Sequence, residues 1–191
     1  MSQNHTCSIT YFNEPGMKNT IQTLKIAKER AETRKIKIIL IASTLGYTIG
    51  KALEIFEGMD VKFIVVGGKK KQFPDQLYEK LLNGNHRVLF NSDYDFEYPT
   101  LVWEVLRRFC EGMKVCVQMV LIVSDLDLLP IGEEVIAVAG TGREDFKPGG
   151  GADTAIIVET VKSPDFFKLE LPQSKTKIIG RKIKEILCKP R

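Results

Sequence analysis

The feature that most restricts the fold of this 191-residue chain is an apolar run that ends in a small, hydroxyl-rich turn. Ile38–Ala42 is apolar at every position, and Ser43–Thr48 follows with a single glycine, Gly46. A helical pattern begins at once and stops at Gly58. A continuously apolar strand that leads directly into a helix is typical of a parallel sheet covered by helices on both faces.

The Ser43–Thr48 turn has the chemistry of a phosphate site. The N-terminus of the following helix offers backbone N–H donors and the positive end of the helix dipole, and the Ser and Thr hydroxyls add further donors. Ordinary N-capping by Ser or Thr accounts for the same residues. Considered alone, the turn leaves both interpretations open, and capping is the simpler of the two.

The alternation of apolar runs and helical patterns repeats along the chain and predicts a single α/β domain over residues 1–191. A helix capped by Asn19 or Thr20 opens it, with an apolar stripe at Ile21, Leu24, Ala27 and Ala31. The predicted strands are Ile36–Ala42, Val61–Val66, Arg87–Phe90, Glu134–Ala139 and Asp153–Glu159. The other predicted helices are Thr48–Glu57, Asp75–Leu82, Thr100–Glu111 and Lys114–Asp127.

Three segments require an argument beyond periodicity. Val115–Val123 has the β-branching of a strand and the length of a helix, and a parallel fourth strand needs a crossover helix before it, so a buried helix is predicted. The gap between the last two predicted strands is too short for a crossover, which predicts an antiparallel pair. The tail from Phe166 to Arg191 fits a helix, a strand or an arm.

Two loops should meet at the edge of this sheet. With the first predicted strand at the centre, the strand order reverses between the first and fourth strands, and ligands of open α/β sheets bind beyond the carboxyl ends of the strands at that point. The loops that meet there are Ser43–Thr48 and Gly140–Gly151, the most glycine- and hydroxyl-rich of the chain. Their convergence favours an anionic-ligand site.

Each polar or glycine residue of the second loop has two interpretations. Arg143 is either a bidentate phosphate ligand or a surface arginine. Gly149–Gly151 either admits a ligand close to the backbone or forms a tight turn. Asp153 and Thr154 either bind ribityl, ribose or loop backbone groups, or serve in a turn or cap.

Composition excludes several functional classes. The net charge is only +4, and no aromatic residues interleave with the lysine clusters, which disfavours nucleic-acid binding. No apolar run is long enough to span a bilayer, and the N-terminus lacks signal-peptide character, so a cytoplasmic location is expected, with no membrane partner.

Cysteine and histidine usage restricts the chemistry. The four cysteines have no CxxC spacing, so a zinc site is not expected and reduced, buried thiols are. Two histidines make a histidine-dependent triad improbable. Cys116 could serve a small enzyme as a thiolate near a helix N-terminus. Its apolar surroundings favour a structural cysteine instead.

A group of segments carries a family resemblance over most of the chain. They are Pro15–Thr20, Ala42–Thr48, Val115–Gln118, Gly140–Gly142, Gly149–Gly151, Gly151–Ala155 and Glu185–Arg191. Their order resembles the C-terminal α/β domain of pyruvate kinase, in which a Ser/Thr-rich turn binds an effector phosphate. It is more similar still to stand-alone, mostly archaeal proteins called pyruvate kinase α/β domain-like.

The resemblance implies a three-layer α/β/α fold with a five-stranded sheet of order 3-2-1-4-5, strand five being antiparallel. It implies no kinase activity, because the catalytic barrel of pyruvate kinase has no counterpart in this chain. It implies a phosphorylated ligand, with flavin mononucleotide (FMN) as the best candidate. At the phosphate would lie Ser43, Thr44, Gly46 and Thr48. Beside the ligand would lie Gly140, Thr141, Gly142 and Arg143, and behind it Asp153 and Thr154.

The full set of candidate ligand-binding residues is Ser43, Thr44, Gly46, Tyr47, Thr48, Gly140, Thr141, Gly142, Arg143, Gly151, Asp153 and Thr154.

The chain departs from the family pattern at three places. Gln118 stands where a glutamate is expected, the loop Arg143–Gly151 is longer, and Leu169–Lys182 is inserted before the closing motif. The functions that remain are a binder of a phosphorylated ligand, a metabolite-sensing regulatory module that acts through a homo-oligomer, and a small enzyme of unknown reaction. No catalytic residue and no metal ligand are assigned.

Overall fold

The computed structural model describes residues 6–94, 99–142, 149–167 and 182–191. Within these ranges the chain forms a seven-stranded mixed sheet and six α-helices, which confirms the predicted α/β class. The strands are β1 (Thr10–Phe12), β2 (Ile38–Ala42), β3 (Lys62–Gly67), β4 (Arg87–Phe90), β5 (Glu134–Ala139), β6 (Thr154–Glu159) and β7 (Ile183–Pro190). The helices are α1 (Thr20–Arg34), α2 (Tyr47–Ile55), α3 (Asp75–Asn83), α4 (Thr100–Arg107), α5 (Glu111–Asp125) and α6 (Ser163–Phe167).

The strands lie in the order β1-β7-β6-β5-β2-β3-β4. β2 to β5 are parallel to one another, whereas β6 is antiparallel to both β5 and β7. The antiparallel pairing predicted for the last two strands of the sequence analysis is thereby confirmed. The predicted total of five strands is wrong, because the two ends of the chain add β7 and β1 beyond β6. The sequence of this tail mixes lysines with isoleucines, and only its pairing with β6 distinguishes a strand from a helix or an arm.

Helices cover both faces of the sheet. Successive side chains of a strand point to opposite faces, so Ile39 and Ile41 pack with α1, α2 and α3, while Leu40 packs with α4 and α5. All three side chains are fully buried. The continuous apolar pattern of β2 therefore reflects its central position between two helical layers.

The ambiguous stretch Val115–Val123 lies within α5 and is a buried helix, as predicted. α5 brings the chain back to the centre of the sheet, where β5 pairs in parallel with β2. None of the described helices is both long enough and apolar enough to cross a membrane.

The apolar stripe predicted for α1 needs one correction. Leu24, Ala27 and Ala31 are buried as expected, but Ile21 is 38% exposed. Thr20 takes its place on the buried face, where its hydroxyl donates to Met17 O and accepts from Ala152 N–H. Two buried hydrogen bonds therefore outweigh the apolar character of Ile21 at this turn of the helix.

The boundary between α4 and α5 also differs from the prediction. α4 ends at Arg107 rather than Glu111, and α5 begins at Glu111 rather than Lys114. Cys110 caps α5, because its sulfur accepts a hydrogen bond from Met113 N–H. Cysteine is not among the preferred N-cap residues, so the sequence carried no signal for this start.

Candidate ligand-binding cleft

A cleft of about 190 Å³ opens at the carboxyl ends of β2 and β5. These two strands are parallel neighbours, and the chain leaves β2 toward one face of the sheet and reaches β5 from the other. The cleft therefore lies where the strand order reverses, the usual position of ligands in open α/β sheets. Its lining residues are Ala42, Ser43, Thr44, Leu45, Tyr47, Thr48, Val115, Gly140, Gly142, Gly149, Gly150 and Gly151.

The conformation of the Ser43–Thr48 turn depends on two residues. Gly46, which precedes α2, has φ of +82°, and a Cβ atom there would lie 2.6 Å from Leu77 Cδ2. Ser43 Oγ accepts a hydrogen bond from Ile49 N–H at 3.3 Å, and Ser43 N–H donates to Val66 O. The capping interpretation of this turn is therefore correct for Ser43, whose side chain satisfies a donor in the first turn of α2.

Other donors of the same turn have no such partner. The N–H groups of Tyr47 and Thr48, the first two of α2, donate to none of the described residues. Thr48 is only 3% exposed and lines the cleft, yet its hydroxyl forms no hydrogen bond within the described part of the chain. These donors are therefore available to a ligand in the cleft.

The glycines of the opposite wall pack against each other. A Cβ atom on Gly140 would lie 2.3 Å from Gly151 O, and one on Gly150 would lie 2.3 Å from Gly142 C. Gly151 has φ of +72°, and a Cβ atom there would lie 2.4 Å from Thr20 Oγ1. Close contact with facing backbone at Gly140 and Gly150, and with Thr20 at Gly151, is thus sufficient to explain why these positions lack side chains.

Asp153 and Thr154 lie behind this wall and are fully buried. Asp153 Oδ2 accepts hydrogen bonds from Gly16 N–H at 2.8 Å and Thr141 N–H at 3.2 Å. Asp153 Oδ1 accepts from the Thr154 hydroxyl at 2.9 Å. Of the two roles open to Asp153, the structure supports binding to loop backbone, and neither residue contributes to the lining of the cleft.

The remaining predicted site residues divide into two groups. Gly140, Gly142 and Gly151 line the cleft, whereas Thr141 does not, and its hydroxyl oxygen is buried without a hydrogen-bond partner. Arg143 lies outside the described residues, as do residues 144–148 of its loop. The long insertion predicted before the closing motif also falls almost wholly outside them.

Three apolar lining residues were not predicted. Ala42 ends β2, Leu45 is 43% exposed at the rim, and Val115 reaches the cleft from α5. An apolar residue inside a turn of small polar residues was the available signal for Leu45. No signal in the sequence distinguished Val115 as a lining residue, because it resembles the other apolar residues of this buried helix.

Cys116 is not arranged as a nucleophile. It is fully buried, and its thiol donates to Ala137 O at 3.3 Å. Desolvation raises the pKa of the Cys116 thiol well above its ordinary value, and burial likewise raises the pKa of Cys188 to about 12. A nucleophilic cysteine must be a thiolate, so the geometry favours the structural role for Cys116. The prediction of buried thiols holds for these two, while Cys7 and Cys110 are half-buried.

Fold and cleft together describe an α/β protein with a small cleft at the switch point of its sheet. No protein-family model matches the sequence. Among the described residues, no group of three or more His, Cys, Asp or Glu side chains is placed to hold a metal ion.

Proposed function

We propose that this protein binds a phosphorylated, nucleotide-like small molecule, with the phosphate on the Ser43–Thr48 turn, and that it does not transfer the phosphoryl group. The observation that carries the proposal is that Thr48 lines the cleft while its hydroxyl forms no hydrogen bond with any described residue. Two unpaired N–H groups at the start of α2 lie in the same turn.

The electrostatics of the turn suit an anion. The N-terminus of α2 carries the positive end of the helix dipole, and N–H groups that bind an anion form stronger, charge-assisted hydrogen bonds. The described lining contains no Lys, Arg, Asp, Glu or His. These residues would therefore hold the phosphate through neutral donors and the helix dipole, and they supply no general base for phosphoryl transfer.

FMN is our candidate ligand. A volume of about 190 Å³ falls below the roughly 300–1,000 Å³ of pockets that enclose a drug-sized molecule. The cleft thus accommodates the phosphate and the atoms next to it, and the rest of the ligand would extend over the rim. Leu45 and Tyr47 at that rim are 43% and 37% exposed, and they offer apolar and aromatic surface to a flat ring system.

We also propose that the chain is a relative of the pyruvate kinase C-terminal domain. Support comes from the strand order β4-β3-β2-β5-β6, with β6 antiparallel, which corresponds to the order 3-2-1-4-5 that the resemblance implies. In this interpretation β1 and β7 are additions at one edge. The relationship predicts a phosphate site on the turn after β2, where the unpaired donors of Thr48 lie.

The test is a calorimetric titration of the purified, dialysed protein with FMN, with riboflavin as the matched control. We expect FMN to bind, riboflavin to bind at least 100-fold more weakly because it lacks the phosphate, and inorganic phosphate to compete with FMN. Mass spectrometry of small molecules released from undialysed protein would identify the natural ligand. Equal affinity for FMN and riboflavin would contradict the placement of the phosphate. The absence of binding by FMN, AMP and ribose 5-phosphate alike would contradict the proposed function.

A further inference from the structure

We infer that β1 is the interface through which two copies of this chain associate, by antiparallel pairing of β1 with β1 of the second copy. β1 is the outermost strand of the sheet among the described residues and pairs with β7 on one side only. The inference concerns a different part of the molecule from the cleft and does not depend on the proposed ligand.

The free edge of β1 has a defined hydrogen-bonding pattern. Phe12 O accepts a hydrogen bond from Arg191 N–H at 3.0 Å, so the backbone of Phe12 faces β7. Because backbone groups of successive residues point to opposite sides of a strand, the N–H and C=O of Tyr11 point away from the sheet. An unpaired donor and acceptor on an edge strand form a template for another strand.

Exposed apolar residues lie at β1 and at α4, and Lys189 contacts both regions. Phe12 packs on the α1 side of the sheet, so Tyr11 projects to the opposite side, where α4 lies. Lys189 contacts both Tyr11 and Phe109. Its Nζ lies 5.2 Å from the centroid of the Tyr11 ring and donates a hydrogen bond to Phe109 O at 3.2 Å. The residues that form this edge patch, with exposed fractions between 39% and 75%, are Ile9, Tyr11, Leu101, Val105 and Phe109.

The edge patch is large enough to form a substantial part of an interface. From its exposed fractions and the 150–250 Å² of an aromatic side chain, it presents on the order of 500 Å² of apolar surface, near the upper end for the largest patch of a typical monomer. A stable dimer buries about 800 Å² on each partner. The edge patch thus supplies more than half of that area, and the backbone and flanks of β1 would supply the rest.

Two-fold symmetry makes this surface complementary to itself. A two-fold axis perpendicular to the sheet at Tyr11 brings the two β1 strands together antiparallel, with Tyr11 opposite Tyr11 of the second copy. The outward N–H of each Tyr11 then donates to the outward C=O of the other, which gives two reciprocal hydrogen bonds. The same axis keeps both α4 helices on one face of the joined sheet, so the two edge patches become continuous. The charge of Lys189 does not oppose this contact, since its ammonium group is bound to the carbonyl oxygens of Phe109 and Pro190.

The opposite edge of the sheet lacks these properties. β4 begins with the exposed, charged Arg87, whereas β1 contains no charged residue. Charges on an edge strand are a common means of preventing strand addition. The contrast between the two edges selects β1 as the one that pairs.

Sedimentation equilibrium of the ligand-free protein tests the inference. We expect a species of twice the 21.6 kDa chain mass at micromolar concentration. Tyr11→Pro removes the outward N–H without removing a bond to β7, and Phe109→Glu places a charge in the edge patch. Each should weaken the dimer at least 100-fold. Leu82→Glu is the control, because Leu82 is 43% exposed on α3, away from β1, and this variant should remain dimeric.

A cross-link tests the register. Residues of a hydrogen-bonded antiparallel pair have Cα atoms about 5.5 Å apart, which a disulfide can bridge. In a Cys7→Ser background, Tyr11→Cys should therefore give a covalent dimer on mild oxidation, and Ile9→Cys should not. A monomer at 100 µM would overturn the inference. So would a dimer unaffected by either Tyr11→Pro or Phe109→Glu, or a cross-link that forms at Ile9 rather than at Tyr11. If Tyr11→Pro does not fold, Phe109→Glu and the cross-link decide the question.

Discussion

The two walls of the cleft are built from similar residues, but the polar groups of the two walls have different roles. The Ser43–Thr48 turn and the Gly140–Gly151 segment are both rich in glycine and hydroxyl groups. On the first wall, the Thr48 hydroxyl and the N–H groups of Tyr47 and Thr48 have no hydrogen-bond partner among the described residues, and both residues line the cleft. On the second wall, the glycines touch one another, and Asp153 binds the backbone of two loops. Unpaired donors indicate a binding surface, whereas paired ones indicate a scaffold that shapes it.

Residue type alone therefore does not identify a ligand contact. Asp153 and Thr48 are both polar, both nearly or fully buried, and both within the predicted site. The Asp153 carboxylate has three donors from its own chain, so its desolvation is offset in the folded protein. The Thr48 hydroxyl has none within the ranges that the structure describes. Substitution of the first should therefore change stability, and substitution of the second should change ligand binding.

The largest effect is expected for Asp153→Ala. The substitution leaves the partly buried N–H groups of Gly16 and Thr141 without this acceptor, and each such loss costs about 1–3 kcal/mol. We expect the free energy of unfolding to fall by about 4 kcal/mol, measured by urea denaturation. Asp153→Asn is the matched variant, and because it keeps one acceptor oxygen it should lose about half as much. A loss below about 1 kcal/mol for Asp153→Ala would show that this carboxylate is not the link between the two loops.

An intermediate effect is expected for Gly140→Ala. The added Cβ atom would lie 2.3 Å from Gly151 O, so the two backbone segments must separate. Overpacking of this kind costs about 1–3 kcal/mol, and at roughly 2–4 °C per kcal/mol the Tm should fall by about 5–10 °C. Gly142→Ala is the control, since it has nothing within 4 Å and carries only the strain of its φ of +88°. It should cost about 1 kcal/mol. Equal losses for the two variants would contradict the backbone packing described for this wall.

The smallest effect on stability, and the largest on binding, is expected for Thr48→Val. Valine has the shape of threonine and removes only a hydroxyl that has no partner in the described chain. The free energy of unfolding should change by less than about 0.5 kcal/mol, while the Kd for FMN should rise about tenfold, the equivalent of one hydrogen bond.

Ser43→Ala provides the complementary control in the same turn. Its hydroxyl caps α2 through Ile49 N–H, so its removal should cost about 1 kcal/mol of stability. If Thr48→Val destabilised the protein as much as Ser43→Ala and left the FMN affinity unchanged, both hydroxyls would be structural. The comparison between the two walls would then fail.

Much of the central sheet was predictable because its signals are local. The continuous apolar character of Ile38–Ala42 and the short connection between β5 and β6 each depend on neighbouring residues, and each gave the correct strand or pairing. The strand β7 and its partner β1 were not predicted. Their residues acquire strand character only by pairing across the sheet, β1 with residues about 180 positions away.

The candidate site likewise has one property that local sequence predicted and one that it did not. Its position followed from the sequence, because two loops rich in glycine and hydroxyl groups come directly after strands whose parallel neighbourhood could be argued. The use of each residue did not follow. Gly46 has no room for a side chain because Leu77 lies against it, and Val115 reaches the cleft from a helix more than sixty residues further along the chain. Both facts depend on contacts between distant segments.

The sequence by itself determined the α/β class, the buried central strand and the place where two loops converge, because hydrophobic periodicity and turn composition act over a few residues. The tertiary structure decided which polar groups of those loops are satisfied. Asp153 obtains its donors from Gly16 and Thr141, and Thr48 obtains none from the described chain. Hydrogen bonds between distant segments are set by packing, so packing decides which polar groups of a loop are satisfied within the chain and which remain available to a ligand.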